Sequence, residues 1–200
     1  MKQIYFIRHG ETAFNKRHIV QGSGVDSSLN EKGQAQAKAL FEYYKNIPFD
    51  IIYTSKLVRT HQTMQGFIDK GIPWEQWTEL NEISWGEHEG KAATPAMKAN
   101  YERLIQAWSN GNFEARLENG ESAKELSERV SRFLEHLKTI PEQTILVCTH
   151  GRTMRCVLAL LQQEHLREME KYTHKNTGLY LAHYQMNTFT IVKKNDISHL

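Results

Sequence analysis

Three short and almost uninterrupted apolar runs constrain the fold of this chain most strongly. They cover residues 3–7, 50–53 and 144–148 and are rich in β-branched and aromatic side chains. A strand with one solvated face alternates apolar and polar residues, whereas a strand buried on both faces of a parallel sheet is apolar throughout. The runs therefore predict strands of a largely parallel sheet.

Helical patterns lie between these runs. One follows Asn30, a good N-cap residue, and another carries apolar residues at helical spacing over residues 57–68. A third begins at Ser122, which has Glu125 three residues later and so predicts a capping box. Residues 97–108 predict one further amphipathic helix, followed by a loop.

Strands that alternate with helices predict an α/β fold. We expect one domain over residues 1–200, with three layers and a mostly parallel central sheet flanked by helices on both faces. The last residues predict a closing pair of strands around Met186, Asn187 and Thr188, and hence an antiparallel edge strand.

Composition narrows the classes of function. The 25 basic and 23 acidic residues nearly balance, which predicts no nucleic-acid or membrane partner. No apolar run approaches the roughly 18 residues of a membrane span, and the first residues lack the apolar stretch of a signal peptide. Only Cys148 and Cys156 are present, without CxxC spacing, so we expect a reducing, cytoplasmic location.

Polar residues follow each of the three predicted strands. The first strand is followed by Arg8 and His9, the second by Ser55 and then Arg59, and the third by His150. Ligands of such sheets bind beyond the carboxyl ends of the strands. If the strands are neighbours, two arginines and two histidines converge, and their like charge needs an anion. Guanidinium groups match phosphate oxygens, so a phosphoryl group is the predicted ligand.

Several motifs in this order resemble the histidine phosphatase superfamily, in its phosphoglycerate mutase-like branch. The resemblance covers most of the chain and rests on RHGET with Asn15, QGSGVDSSLNEKGQAQA, TSKLVRTHQT, LNEISWGEHEG, NGES and THGRTMR. One departure is Ile19, where members often carry an arginine two residues before the Gln-Gly pair.

The resemblance implies a role for each matching residue. His9 would be the nucleophile that becomes phosphorylated, and Glu82 would give a proton to the leaving alcohol and then activate water. The groups that would hold the phosphoryl oxygens are Arg8, Arg59 and His150. The residues that would line the phosphate and the substrate are Asn15, Gln21 and Gly22.

Elementary electrostatics agrees with these roles. His9 must be neutral to attack, and nearby cations lower the pKa of an imidazole. His150 is more useful as a cation, and a bound dianion would favour that form. Ser55 can orient Arg59 or cap the helix that follows, and we expect the cap.

We expect a phosphomonoester hydrolase of the histidine acid phosphatase type, acting on a small phosphate ester without metal or cofactor. The alternative is a cofactor-dependent phosphoglycerate mutase, but residues 91–119 lack the longer insertion that shields the phosphoenzyme of such mutases from water. A binding module and a metal-dependent phosphatase also stay open. The sequence does not distinguish sugar phosphates, nucleotides and a phosphorylated ribazole, and it is compatible with a homo-oligomer.

The leaving group would need a wall of its own. Five aromatic residues are candidates for that wall, although we expect most of them to pack in the core: Phe14, Trp74, Trp77, Trp85 and Trp108. His18 and His88 lie in loops near the expected mouth of the site.

Overall fold

The computed structural model describes residues 1–200, with six strands in one sheet. The strands are β1 (Lys2–Arg8), β2 (Ile51–Thr54), β3 (Trp74–Gln76), β4 (Thr144–Thr149), β5 (Leu179–Gln185) and β6 (Thr188–Asp196). The three predicted strands are confirmed. Compared with the apolar runs, β1 is longer by one residue at each end, β2 is shifted by one residue along the chain, and β4 ends one residue later. β3 escaped sequence analysis because three partly exposed residues carry no apolar pattern.

The strand order is β3-β2-β4-β1-β5-β6. The first four strands of this order are parallel, and β5 and β6 are antiparallel to their neighbours. The mostly parallel sheet is thus confirmed, and its antiparallel edge is a hairpin of two strands. In register, Arg8 of β1 pairs with Thr149 of β4, and Thr54 of β2 pairs with Cys148 of β4.

Six α-helices and three short 3-10 helices connect the strands. The α-helices are α1 (Ala13–Lys16), α2 (Glu31–Tyr44), α3 (Val58–Asp69), α4 (Pro95–Ser109), α5 (Ala123–Thr139) and α6 (Gly151–Leu161). Asn30 caps α2 by accepting a hydrogen bond from the Gly33 N–H, as predicted. The predicted capping box of Ser122 and Glu125 begins α5.

Each central strand sends alternate side chains to the two faces of the sheet. Ile4 and Phe6 of β1 join a large core with α5 and α6, and this core extends to Trp108 of α4. Tyr5 and Ile7 join a smaller core with α2 and α3 on the other face. Both faces of the central strands are therefore covered, which explains their unbroken apolar runs and gives the three predicted layers.

The sheet topology brings the carboxyl ends of three strands side by side. β4 lies between β1 and β2, and all three run in the same direction. The residues after Arg8, Thr54 and Thr149 therefore meet at one edge of the sheet.

No helix of the chain is both long and apolar enough to cross a membrane.

Candidate active site

The predicted phosphate-binding residues do come together beyond these strand ends. The ring centroids of His9 and His150 lie 5.1 Å apart. The Nε of Arg59 donates a hydrogen bond to Nδ1 of His150 at 3.1 Å. Arg8 lies beside His9, and the positive charges of Arg8 and Arg59 both act on the His9 ring.

The loop after β1 fixes the position of His9. The His9 N–H donates to the Thr149 carbonyl at 3.0 Å, so the pairing of β1 with β4 extends one residue beyond the end of β1. The N–H of Gly10 donates to Oγ1 of Thr63 on α3 at 2.9 Å. A Cβ at position 10 would lie only 2.7 Å from the Gly33 carbonyl O, so glycine permits the close approach of α2 to this loop.

One hydrogen bond determines which ring nitrogen of His9 is free to react. Nδ1 lies 2.7 Å from the carbonyl O of Gly10, which can only accept, so Nδ1 carries the proton. Nε2 then keeps its lone pair. His9 is 3% exposed, and burial, followed by the charges of Arg59 and Arg8, holds its pKa well below the ordinary value. The neutral His9 expected from the sequence is thus supported by its surroundings.

The two arginines differ in their hydrogen bonds. The Nη1 and Nη2 groups of Arg59 donate to the carbonyl oxygens of Val25 at 2.7 Å and Gly22 at 3.2 Å. Arg8 has a buried Nε without any hydrogen-bond partner in the protein, which makes it a donor available to an oxyanion. Burial lowers the pKa of Arg8 to about 10, so its guanidinium remains charged at neutral pH.

His150 directly precedes α6 and is held from two sides. Its Nδ1 must accept from the Arg59 guanidinium, so Nε2 carries the proton and donates to Oγ of Ser55 at 2.8 Å. Burial and then the charge of Arg59 hold the pKa of His150 well below its ordinary value. The cationic form expected for His150 would therefore depend on a bound dianion.

Ser55 has a different role from the one predicted. Helix α3 begins at Val58, and its N-cap residue is Leu57, which has no capping side chain. The prediction that Ser55 caps this helix is wrong. Its Oγ instead accepts from the Leu57 N–H at 3.1 Å and from His150.

Glu82 lies at the N-terminus of α6 and is 7% exposed. Its Oε1 accepts from the N–H groups of Ile83 and Thr153 at 3.0 Å. The Thr153 hydroxyl lies 3.1 Å from the same oxygen but donates its one proton to the Asn81 carbonyl at 2.7 Å. Oε2 of Glu82 accepts only from the Arg152 N–H, also at 3.0 Å. The first turn of α6 thus binds this carboxylate, and Oε2 keeps the greater capacity for a further hydrogen bond.

Asn15, Gln21 and Gly22 surround the same loop. The Thr12 N–H donates to Oδ1 of Asn15 at 3.1 Å, and Nε2 of Gln21 donates to the Thr12 hydroxyl at 2.8 Å. Gly22 touches Arg59 through its carbonyl, as described. The structure thus connects all three to the loop or to Arg59, and their contact with substrate stays a prediction.

Sequence analysis missed Asn176. Its Nδ2 donates to the His9 carbonyl at 3.0 Å, and the neighbouring Thr177 N–H donates to the Arg8 carbonyl at 2.9 Å. The segment before β5 therefore braces the loop that holds the nucleophile. No local signal predicts this, because the contact depends on β5 lying next to β1.

The remaining titratable groups form no obvious metal centre. Nowhere do three His, Cys, Asp or Glu side chains meet in a way that could hold a metal ion. Both cysteines are free and buried, and burial raises the pKa of Cys156 to about 12.

The chain is similar to known proteins over nearly its whole length. Residues 4–197 match the model of the histidine phosphatase superfamily (branch 1). A Hydrogenobacter thermophilus protein named "Putative phosphoserine phosphatase 2" is 30% identical, over 100% of this chain and 98% of its own. The 2,3-bisphosphoglycerate-dependent phosphoglycerate mutase 2 of Gloeobacter violaceus is 32% identical, over 86% of this chain and 80% of its own.

A solved structure is also similar along nearly its whole length. It is the alpha-ribazole phosphatase from Shigella flexneri, which superposes with a TM-score of 0.85 and 25% identity. The superposition covers 97% of this chain and 96% of that one.

Proposed function

Because the chain belongs to branch 1 of the histidine phosphatase superfamily, we propose that it hydrolyses small phosphomonoesters through a phosphohistidine at His9. The arrangement around that ring is the main support. A neutral His9 with Nε2 unprotonated lies among Arg8, Arg59 and His150, with Glu82 bound to the adjacent helix. Two of the relatives described are named as phosphatases, of phosphoserine and alpha-ribazole.

The first step transfers the phosphoryl group to the enzyme. Nε2 of His9 attacks phosphorus and the bond to the ester oxygen breaks. Oε2 of Glu82, protonated in the substrate complex, gives its proton to the departing alkoxide and regains one in the second step. Charge spreads over three equatorial oxygens during the transfer, and fixed guanidinium groups stabilise that charge. Arg8 is suited to this role because its buried Nε has no partner within the protein.

The second step releases phosphate. Water attacks the phosphorus of the phosphohistidine, the P–N bond breaks, and the Glu82 carboxylate takes the water proton. His9 regains its lone pair, and its Nδ1–H bond to the Gly10 carbonyl persists through both steps. Glu82 thus acts as an acid and then as a base.

Hydrolysis can be tested on a chromogenic phosphomonoester. We expect turnover that survives EDTA and is blocked by vanadate, and a quenched reaction should yield protein heavier by one phosphoryl group. His9→Ala should lower kcat more than about 10³-fold and abolish the phosphoprotein. Loss of activity in EDTA would favour a metal-dependent phosphatase, and no turnover of any ester would favour a binding module.

Phosphoglycerate mutase is the second candidate, because the Gloeobacter relative carries that name. The connection between β3 and α5 contains one 15-residue helix, α4, and no longer insertion to cover the phosphohistidine. We therefore favour water as the acceptor. Supplying 3-phosphoglycerate with catalytic 2,3-bisphosphoglycerate decides the question, since a mutase yields 2-phosphoglycerate whereas a hydrolase yields free phosphate.

A further inference from the structure

A cavity of about 300 Å³ lies beside the loop that follows Glu82. Its apolar walls come from four separate segments: the chain before Gln21, the turn at Trp85, residues 93–101 around the start of helix α4, and Leu117 in the loop after that helix. The apolar lining residues are Val20, Trp85, Ala93, Met97, Tyr101 and Leu117. Its volume is at the lower end of the range for small-molecule sites, which suits a group of one or two rings.

The cavity is connected to the catalytic groups through shared residues. Gln21 lines it and also donates to the Thr12 hydroxyl, three residues after His9. Trp85 is three residues after Glu82. Arg152, whose N–H binds the Glu82 carboxylate, places its guanidinium 5.7 Å from the Trp85 ring centroid. The cavity is thus bordered by residues that contact the His9 loop and by the segment that follows Glu82.

The charges around the cavity argue against an anionic leaving group. The nearest buried cation, Arg152, pairs with Glu170 and also donates to the Tyr101 hydroxyl at 2.6 Å. Lys98 lies at the rim with 75% of its side chain exposed. The other ionisable lining residue is His88, which is 8% exposed. A carboxylate carried into the cavity would thus find no unpaired buried guanidinium or ammonium group and only this imidazole, whereas an apolar ring would displace water from aromatic and aliphatic walls.

We propose that this cavity receives an aromatic, uncharged part of the leaving alcohol, so that the protein prefers aromatic phosphomonoesters over small polar or carboxylated ones. The proposal rests on the hydrolase function proposed above. Of the five aromatic residues considered for this wall, Trp85 lines the cavity and Trp108 stacks behind it at 6.3 Å. Trp74 and Trp77 pack elsewhere, against His61 and Tyr53.

The test compares two esters of primary alcohols, so that the acidity of the leaving group does not decide the rates. The kcat/KM for 2-(1-naphthyl)ethyl phosphate should exceed that for glycerol 3-phosphate by about 10- to 100-fold, from burial of the rings. Equal values for the two esters, or a preference for glycerol 3-phosphate, would overturn the proposal.

Two variants locate the preference in the cavity. Met97→Asp places a charge in the wall, and Ala93→Trp fills the space from an exposed position; each should reduce the naphthyl preference at least about tenfold. Met186→Asp is the matched control, since Met186 lies at the β5–β6 turn and is 89% exposed. This control should keep the preference, and a loss there equal to that of Met97→Asp would contradict the assignment.

Calorimetry on His9→Ala separates the two proposals. If that variant binds the naphthyl ester more tightly than glycerol 3-phosphate while the wild type hydrolyses neither, the cavity assignment holds and the hydrolase function fails. If the wild type hydrolyses both esters but neither Met97→Asp nor Ala93→Trp changes their ratio, the hydrolase function holds and the cavity assignment fails.

Discussion

The hydrogen-bond partners of His9 and His150 place the proton on different ring nitrogens. His9 donates through Nδ1 to a backbone carbonyl, whereas His150 donates through Nε2 to Ser55 and accepts at Nδ1 from Arg59. Both pKa values lie well below the ordinary value because both rings are buried near guanidinium groups. Two residues of one type are thus prepared for different tasks by their neighbours alone.

Ser55 is a positioning residue in this arrangement, because its hydroxyl accepts the hydrogen bond from Nε2 of His150. In Ser55→Ala, the His150 ring loses its Nε2 partner, so we expect kcat to fall about tenfold with a smaller change in KM. Ser55→Thr keeps a hydroxyl and should recover most of the rate. A purely structural role would lower the melting temperature of Ser55→Ala with kcat per folded molecule unchanged, and that result would refute the positioning role.

The starts of the helices show what the local sequence can and cannot predict. The starts of α2 and α5 are predictable, because Asn30 and Ser122 satisfy N–H groups within the same turn. The start of α6 shows the limit. Its first turn is satisfied by Glu82, which is distant in sequence and reaches the helix only through the folded connection from β3.

The capping box of α5 offers a prediction about stability. Ser122 is buried, and its Oγ accepts from the Glu125 N–H at 3.2 Å. Ser122→Ala should lower the free energy of unfolding by about 1 kcal/mol, measured by urea denaturation. Ser127→Ala, within the same helix, is the control and should change it by less than about 0.5 kcal/mol. If the two substitutions lowered the free energy of unfolding equally, the Ser122 cap would not stabilise the protein more than an ordinary helix residue does.

Across the whole molecule, sequence analysis was most successful where the structure of a residue is determined by residues close to it in the chain. The apolar runs predicted the parallel strands, and the residues after them predicted the meeting of His9 with Arg59 and His150. Contacts such as Asn176 with His9, or Arg152 with Glu170, could not be predicted. They depend on which elements become neighbours, and no local pattern determines that.

The buried histidines make the stability of the whole molecule depend on pH. His9 and His150 have lowered pKa values, and burial, aided by the charge of Arg8, lowers the pKa of His174 to about 3. Below an unfolded-state pKa near 6.5, the unfolded chain binds more protons than the folded one, so stability falls as pH falls. Between pH 6.5 and 5.5 each of the three should reduce the free energy of unfolding by about 1 kcal/mol.

Urea denaturation at pH 7.5, 6.5 and 5.5 measures this dependence. Between pH 6.5 and 5.5, the free energy of unfolding of His9→Ala should fall by about 1 kcal/mol less than that of the wild type, because one of the three histidines is removed. This difference in slope does not depend on the stability of the variant at pH 7.5. A decline as steep as that of the wild type would show that His9 is already protonated in the folded protein.

The reactive groups are carried by stretches of chain that follow different strands. A backbone cut between α3 and β3 would leave His9 and Arg59 on one fragment, and Glu82 and His150 on the other. Neither fragment alone would hold a complete set of reactive groups. When the two fragments are mixed, the rate of phosphate release should therefore be proportional to the fraction of molecules that have reassembled. Turnover would thus measure fragment complementation.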